Sequence, residues 1–369
     1  MSLLVAILMF SLHGFLKHSC IFGDHMHALK LRGDQTKIKD LPPTENGKPL
    51  IIGVDVNVRN ILDVDEIKQL ISLETSLKFY WPDPRISVDQ RKIQDKKYVT
   101  LNSEEYSRFW IPDIFIDQAK DLRDPTFYRK PASFRVYNNG TMRFASRVNY
   151  DVACNMDFKR FPVDTQECKI AYESFSYKVD EIQFEWRKID KNKDISLSQF
   201  RHVISEDGSY STDYYGKGDS YAGFKLNIRL TRNIGYHLVQ TYIPSTLFVI
   251  LAYLSIYIPT DSIPARVGMG MTTLLTLTTM FSSVRSKVPH VSYLTYLDYW
   301  MLLCMLFVCV SIGEFIIAII LTKEGKDEKF VAKVRKIFKI VLPLAFILSN
   351  VVYWPYIFLA GGGKVEETS

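Results

Sequence analysis

Two hydrophobic patterns divide the chain. Between about residues 48 and 232, the stretches IIGVDVNVRNIL, SLKFYW, RISVD, FRVYNNGTMRFASRVNY, DEIQFEW and FKLNIRLTR alternate apolar with polar positions or are rich in β-branched and aromatic residues. A period of two belongs to half-buried strands. Turn formers (PDP, NNG and EDGS) separate them, and Asn138-Asn139-Gly140 between two such runs predicts a hairpin. Short strands at this spacing predict an all-β sandwich with a short helix ahead of it.

Beyond residue 235 the alternation gives way to long apolar runs. Tyr236 to Ile258, Arg266 to Val284, Leu297 to Leu321 and Ile337 to Leu359 are each long enough to cross a bilayer as a helix. Pro244 predicts a kink in the first span. Pro343 and Pro355 fall in the fourth, where neighbouring helices re-satisfy the backbone. Glu314, in the third, is expected to face protein or water. The chain thus divides into a soluble domain (24–235) and a four-helix membrane domain (236–360). At the start, MSLLVAILMFSL has an apolar run of about ten residues, the size of a secretory leader core rather than a span. Residues 1–22 read as a signal peptide, against the alternative of a buried N-terminal helix.

Charge settles the orientation. Residues 322–336 carry Lys323, Lys326, Lys329, Lys333, Arg335 and Lys336 against Glu324, Asp327 and Glu328, and Lys339 follows. That loop is expected in the cytoplasm, which puts the N-terminal domain and the C-terminus outside. An outside location permits disulfides. Of the five cysteines, Cys20 falls near the leader and Cys304 and Cys309 lie within a span, which leaves Cys154 and Cys168 as the natural pair. Asn139-Gly140-Thr141 is a glycosylation sequon compatible with that location. The excess of Lys and Arg (46) over Asp and Glu (40) is interleaved with acids or clustered at membrane edges, so no nucleic-acid surface is expected. No Ser/His/Asp, metal-ligand or phosphate-loop spacing occurs; neither an enzyme nor a cofactor or metal is expected.

The second span, RVGMGMTTLLTLTTMFSSV, is too rich in hydroxyls for a helix in lipid. Spacings of three and four put Gly268, Thr272, Leu275, Thr279 and Ser282 on one stripe. Such a stripe serves either interhelical hydrogen bonds or a water-filled pore, with Leu275 as a hydrophobic constriction. Arg266 stands at the cytoplasmic end and Arg285 and Lys287 at the outer end, with no Glu or Asp between Ser262 and Tyr296. In a symmetric assembly Arg266 and Arg285 become rings that favour anions; as a single copy, Arg266 snorkels at the interface.

Together these residues resemble the Cys-loop receptors, the pentameric ligand-gated ion channels. The resemblance rests on Cys154-x13-Cys168 enclosing Phe161-Pro162-Val163-Asp164, with PARVGMGMTTLLTLTT (264–279), WIPDIF (110–115), YESFSY (172–177), FEW (184–186), TRNIGYHLVQTYIPS (231–245) and VSYLTYLDYW (291–300). The branch it is most similar to is the glycine, GABA and invertebrate glutamate-gated chloride channels. It covers residues from about 50 to 358. It implies an extracellular all-β sandwich followed by a four-helix transmembrane bundle, five subunits around one pore, and Pro264 and Ala265 at its narrow cytoplasmic end. It implies a multi-pass plasma-membrane protein, the postsynaptic membrane being one setting. It further implies that Phe161 and Pro162 press on the linker from Arg285 to Tyr296, which includes Lys287, and that Arg232 meets Asp164 and Glu66 to couple the two domains.

By the same resemblance, an amino acid or amine binds between adjacent sandwiches. Phe115, Glu173, Ser174, Phe175 and Tyr177 would supply one face, joined by Tyr214, Tyr215 or Tyr221 from the hairpin at 206–222. Ser76, Lys78, Arg135, Arg143 and Ala145 would supply the other. Three positions depart from the glycine and GABA receptor pattern: Ser76 replaces an aromatic, Lys78 an arginine and Ala145 a serine, and the hairpin lacks a second disulfide. A lysine keeps charge but not the bidentate fork, so glycine itself is not the expected agonist. The expected function is a chloride channel, homopentameric or heteropentameric, in contact with membrane lipids. The alternative is a non-conducting or accessory subunit that needs a partner to gate.

Overall fold

Strands form wherever alternation lets one face be buried. The computed structural model describes residues 28–32, 35–44, 47–89, 96–123, 131–212, 220–259 and 262–361; the expected signal peptide, residues 1–22, lies outside them. After β1 (Leu29–Leu31) and the short helix α1 (Gln35–Asp40) come twelve more strands, interrupted by α2 (Ser103–Tyr106). They are β2 (Leu50–Asp65), β3 (Leu70–Pro82), β4 (Ile86–Val88), β5 (Tyr98–Leu101), β6 (Ile114–Ile116), β7 (Ala119–Arg123), β8 (Ala132–Tyr137) and β9 (Thr141–Ala153). The last four are β10 (Thr165–Lys178), β11 (Ile182–Lys191), β12 (Phe200–Thr212) and β13 (Tyr221–Arg232).

One sheet has the order β11-β2-β3-β9-β8-β5, with β7 also on β9; the facing sheet has the order β12-β13-β10-β6. The inner face of the first buries Ile52, Val54, Val56 and Val58 of β2 and Ile71, Leu73, Leu77, Phe79 and Trp81 of β3. Against it β13 buries Phe224, Leu226, Ile228 and Leu230. Phe224 bridges the layers, stacked on Tyr172 at 4.7 Å and 6.3 Å from Phe79. Each such side chain contributes about 1.5–3 kcal/mol. The expected hairpin joins β8 to β9, with Gly140 at φ +78, a value a side chain would resist. The parallel pairing of β11 with β2 has no local signal in the sequence.

Four helices follow, each long and apolar enough to cross a membrane: α3 (Gly235–Tyr257), α4 (Ile263–Arg285), α5 (Tyr296–Lys323) and α6 (Glu328–Gly361). In α3, Pro244 follows directly on a π-helical turn at Leu238–Tyr242. A π turn is one of the structures that re-route the backbone bonds a proline interrupts. The fourth helix begins nine residues before the apolar pattern does. The expected loop at 322–336 therefore contracts to a turn. Gly325 (φ +68) ends α5, with Gly325 N–H bonded to the Thr322 carbonyl and Lys326 N–H to that of Leu321; this double closure is a Schellman motif.

Candidate functional site

The junction of the two domains is built on the disulfide. It ties the end of β9 (Cys154) to β10 (Cys168) across the two sheets, with a sequence separation of 14. Closing a loop of that size stabilises by about 3 kcal/mol in the chain-entropy account. The loop it holds does more than press on the linker. The backbone N–H groups of Tyr296 and Leu297 donate to the carbonyls of Lys159 (3.2 Å) and Phe161 (3.1 Å). These are first-turn groups of α5 that have no partner within their own helix, so the soluble domain caps a membrane helix. Phe158 N–H also donates to the Tyr293 hydroxyl at 3.0 Å. Phe161 packs on His237 at 4.8 Å, and Pro162 is buried beside it.

Behind this loop lies a buried charge cluster. Arg232, at the end of β13, donates through Nε and Nη2 to Asp164 (2.7 and 3.1 Å) and through Nη1 and Nη2 to Glu66 (2.7 and 2.8 Å). Its guanidinium lies over the rings of Phe161 (4.7 Å) and Phe200 (4.6 Å). Burial alone disfavours its charge, yet the bonds to Asp164 and Glu66 prevail and hold it protonated above the usual arginine range. Gln166 completes the set, donating to Asp164 at 2.5 Å. The β2–β3 turn, the disulfide loop and β12 meet the fork directly, while β10 reaches it through Asp164 and the entry to α3 through Phe161. Lys287 does not join the cluster. It bonds the Tyr236 hydroxyl at 2.9 Å, linking the α4–α5 connection to the start of α3.

On α4 the stripe drawn from spacing is the free face. Pro264, Ala265, Gly268, Thr272, Thr279 and Ser282 are exposed, as is Leu275 at 64%, whereas Thr273 and Leu277 are buried. The hydroxyls of Thr272, Thr273, Thr276, Thr278 and Thr279 donate to carbonyls of their own helix at 2.7–2.9 Å. Among the described residues the stripe thus finds no second helix to bond.

The arginines need correcting. Arg266 is no exposed member of a ring. Its side chain is buried on the lateral face, donating to Glu314 (2.8 Å) and to the Ser255 carbonyl (3.0 Å) and lying over Phe315. Arg335 of α6 stands 3.4 Å from the same carboxylate and donates to the Ile256 carbonyl. One acid therefore joins all four helices at their cytoplasmic end. At the other end Arg285, half-buried, donates to Asp298 at 2.7 Å and to the Val291 carbonyl. The absence of acids along α4 concealed both partners, because α5 supplies them. Glu314 and Asp298 lie 48 and 13 residues from their arginines, separations that no local pattern reports.

The candidate ligand residues fall into two groups. Phe115 of β6 lies opposite Glu173 of β10 in register and packs edge-on to Phe175 at 6.1 Å. Phe175 is 76% exposed. Glu173 accepts from Thr212 (3.1 Å), Ser174 donates to Asp113 (2.6 Å), and Tyr177 accepts from Trp110 Nε1 (2.9 Å). Tyr221 opens β13 nearby and is half-buried; Tyr214 and Tyr215 lie outside the described residues. Asp113, Trp110 and Thr212 were not foreseen as site residues, although the first two sit in the WIPDIF stretch. Lys78 and Arg135 belong to the other sheet and do not meet this group. Lys78 is in register with Ala145, and Arg135 with Arg143. Arg135 lies over Tyr98 at 4.4 Å. Among the described residues the buried nitrogens Arg135 Nε and Arg143 Nη1 have no hydrogen-bond partner.

Residues 34–234 match the neurotransmitter-gated ion-channel ligand binding domain, and residues 241–338 match the neurotransmitter-gated ion-channel transmembrane region. The human gamma-aminobutyric acid receptor subunit rho-3 is 32% identical over 81% of this chain and 64% of its own length. The human rho-1 subunit is 32% identical over 78% of this chain and 60% of its own, and the rho-2 subunit of Bos taurus 30% identical over 83% and 70%. The chain therefore spans less than two thirds of the length of the human relatives. With the capped disulfide loop, the two-sheet sandwich and the four apolar helices in the order these matches require, the chain belongs to the neurotransmitter-gated ion-channel family.

Proposed function

We propose that the chain is a subunit of a ligand-gated chloride channel, five copies or five related subunits enclosing a pore lined by α4. The observation that carries this reading is the free face of α4: uncharged, rich in hydroxyls, exposed from Pro264 to Ser283, and without a partner helix among the described residues. Five such faces around an axis make a neutral, wettable conduit with Leu275 as the apolar constriction. The acids of α5 lie on the buried side of the arginines, so among the described residues neither Glu314 nor Asp298 adds a carboxylate to the free face of α4.

The agonist is an amino acid bound between two subunits. Its ammonium meets Glu173 and the faces of Phe115, Phe175 and Tyr177; its carboxylate meets Lys78 and Arg135 of the adjacent copy, with Arg143 next to Arg135. The unpartnered guanidinium nitrogens of that pair support an acidic group there. The relatives carry γ-aminobutyric acid in their names, which makes this amino acid the first to try. Asn139, exposed at its hairpin tip, is the proposed glycosylation site.

The test is to express the chain alone, apply amino acids, amines and protons, and record current while external chloride is replaced. A reversal potential that follows chloride supports the reading; one that follows sodium refutes it. The accessory-subunit reading draws on Ser76, which leaves the complementary strand without an aromatic at that position. Current only on co-expression with a partner subunit would select it.

A further inference from the structure

The end of the sandwich away from the membrane holds a cavity that neither the agonist site nor the pore uses. β3 starts at the β2–β3 turn that holds Glu66 and ends at Pro82, in register with Thr141, and β9 returns from there to the disulfide. Over the 13 residues of β9, at about 3.3 Å each, that places the cavity roughly 40 Å from the domain junction. Its volume is about 700 Å³, within the range of small-ligand sites. Pro43, Pro49, Pro82 and Pro84 give it flat apolar walls, and Asn139 of the β8–β9 turn, itself exposed, stands at its rim. Its acid, Asp83, is occupied: Arg85 donates to it through the backbone N–H at 3.0 Å and through Nε and Nη2 at 2.9 Å each. Its lysine, Lys48, is exposed to solvent. The cavity therefore suits an uncharged ligand with apolar faces. A second cavity of about 500 Å³ shares Pro43, Lys48 and Pro84 with it and continues the groove to Asp180 and Glu181.

The turn is tied to the cavity wall. Asp83 N–H donates to the Gly140 carbonyl at 3.1 Å, and a Cβ on Gly140 would stand 3.7 and 3.8 Å from the carbonyls of Ile86 and Asp83. Thr141 N–H donates to Asn139 Oδ1 at 3.1 Å, which fixes the amide, and among the described residues Asn139 Nδ2 has no partner. We propose that the cavity is the seat of an N-linked glycan carried by Asn139, whose first N-acetylglucosamine residues pack against the prolines. This rests on the glycosylation of Asn139 proposed above. Attachment joins Nδ2 to the anomeric carbon of a lipid diphosphate-linked oligosaccharide; the lipid diphosphate leaves and the amide gives up one proton. A sugar ring offers C–H groups on its faces and hydroxyls round its edge, which matches pyrrolidine walls in an uncharged groove. The covalent tether raises the local sugar concentration to roughly the millimolar range, so weak contacts suffice. That advantage selects the chain's own glycan over a free saccharide.

The test uses the full chain made in cells that build only oligomannose glycans. Mass spectrometry should find Asn139 occupied. Endoglycosidase H cuts between the first two N-acetylglucosamines. It should cleave the native protein about tenfold more slowly than the unfolded chain, the protection that a seating free energy of about 1.4 kcal/mol gives. Asp207→Asn supplies the comparison, since it completes a second sequon with Gly208 and Ser209. Gly208 also has φ +78, but open space surrounds it and it does not line the cavity. In the native protein the glycan at that site should be cut about tenfold faster than the one at Asn139. P49S/P84S should bring native cleavage at Asn139 close to the unfolded rate with occupancy unchanged; where that variant does not assemble, the native-to-unfolded ratio and Asp207→Asn decide. An unoccupied Asn139 overturns the glycosylation reading and the seat with it. An occupied Asn139 cut as fast as in the unfolded chain, no slower than the Asp207→Asn site, or as slowly in P49S/P84S as in wild type, overturns the seat alone.

Discussion

Replacing Arg232 by Gln removes the cation from between two carboxylates that differ in their access to water. The Asp164 side chain is 1% exposed and the Glu66 side chain 14%. Without the guanidinium, Glu66 can turn toward solvent, but Asp164 stays buried with Gln166 as its remaining side-chain donor. A stranded buried charge costs about 3–5 kcal/mol. In a domain of this size that lowers the melting temperature by roughly 10 °C. D164N strands no charge. Arg232 keeps its fork on Glu66 and the asparagine carbonyl oxygen still accepts from Nε, but the amide NH2 then faces the donors Arg232 Nη2 and Gln166 Nε2, so the loss is about 2 kcal/mol. E66Q, at the wetter edge, loses about 1 kcal/mol.

The decisive variant is the double. R232Q/D164N removes both the stranded charge and its cause, so it should melt above R232Q, with a loss at least about 1.5 kcal/mol smaller than the sum of the singles. The assay is thermal melting of the assembled receptor, followed by size-exclusion chromatography of the surviving oligomer, on all four proteins. Strict additivity, or a double variant less stable than R232Q, would show that burial of Asp164 is not what makes Arg232 necessary. R232K should fall between wild type and R232Q, since lysine supplies charge without the two-sided fork.

Further outcomes follow from the same reasoning. Leu275→Thr should ease opening by lowering the dewetting barrier, read as a left-shifted agonist response or a standing leak; unchanged activation would remove Leu275 as the gate. A Glu inserted beside Ala265 should shift the reversal potential toward cations, and an unmoved potential would count against the neutral-conduit reading. Glu314→Gln leaves Arg266 and Arg335 facing each other without a carboxylate and should cost about 3–5 kcal/mol, whereas Arg335→Gln, whose side chain is 21% exposed, should cost less; equal melts would refute the shared-acid account. The buried hydroxyls of Tyr150 and Tyr172 bond each other at 2.5 Å; burial pushes Tyr150 up to about 12 and Tyr172 up as well, from an ordinary 10.0. Their contribution is thus intact below pH 10 and lost as pH rises toward 12, so melts across that window should fall more steeply in wild type than in Y150F/Y172F.

What the sequence disclosed follows the range of each interaction. Alternation in β2 and β3 reports burial residue by residue, because one face of each strand meets one core, and the strands lie where the pattern put them. The α4 stripe was legible for the same reason. The start of α6 was not, since charge hides the periodicity: Phe330, Val334 and Ile337 keep helical spacing through a stretch whose lysines read as loop. Nothing local announces that β11 pairs with β2 in parallel, or that Glu314 answers Arg266. Arg232 was found without a local pattern only because a family resemblance named it. Its partner Glu66 stands 166 residues away.

In the proposed channel, the hidden acids change how charge reaches the pore axis. At the cytoplasmic end Arg266 and Arg335 share Glu314, so that cluster carries one net positive charge per chain. At the outer end Asp298 neutralises Arg285, and Lys287, bonded to a tyrosine hydroxyl, carries the remaining charge. The cytoplasmic charge is thus held in the wall rather than on exposed arginines in a lumen, whereas the outer charge sits on the exposed Lys287. Charges held laterally in a low-dielectric wall are screened less by salt than a solvated ring would be. A preference for anions built this way should persist as ionic strength rises, and it ties selectivity to the same contacts that hold the four helices together at the base.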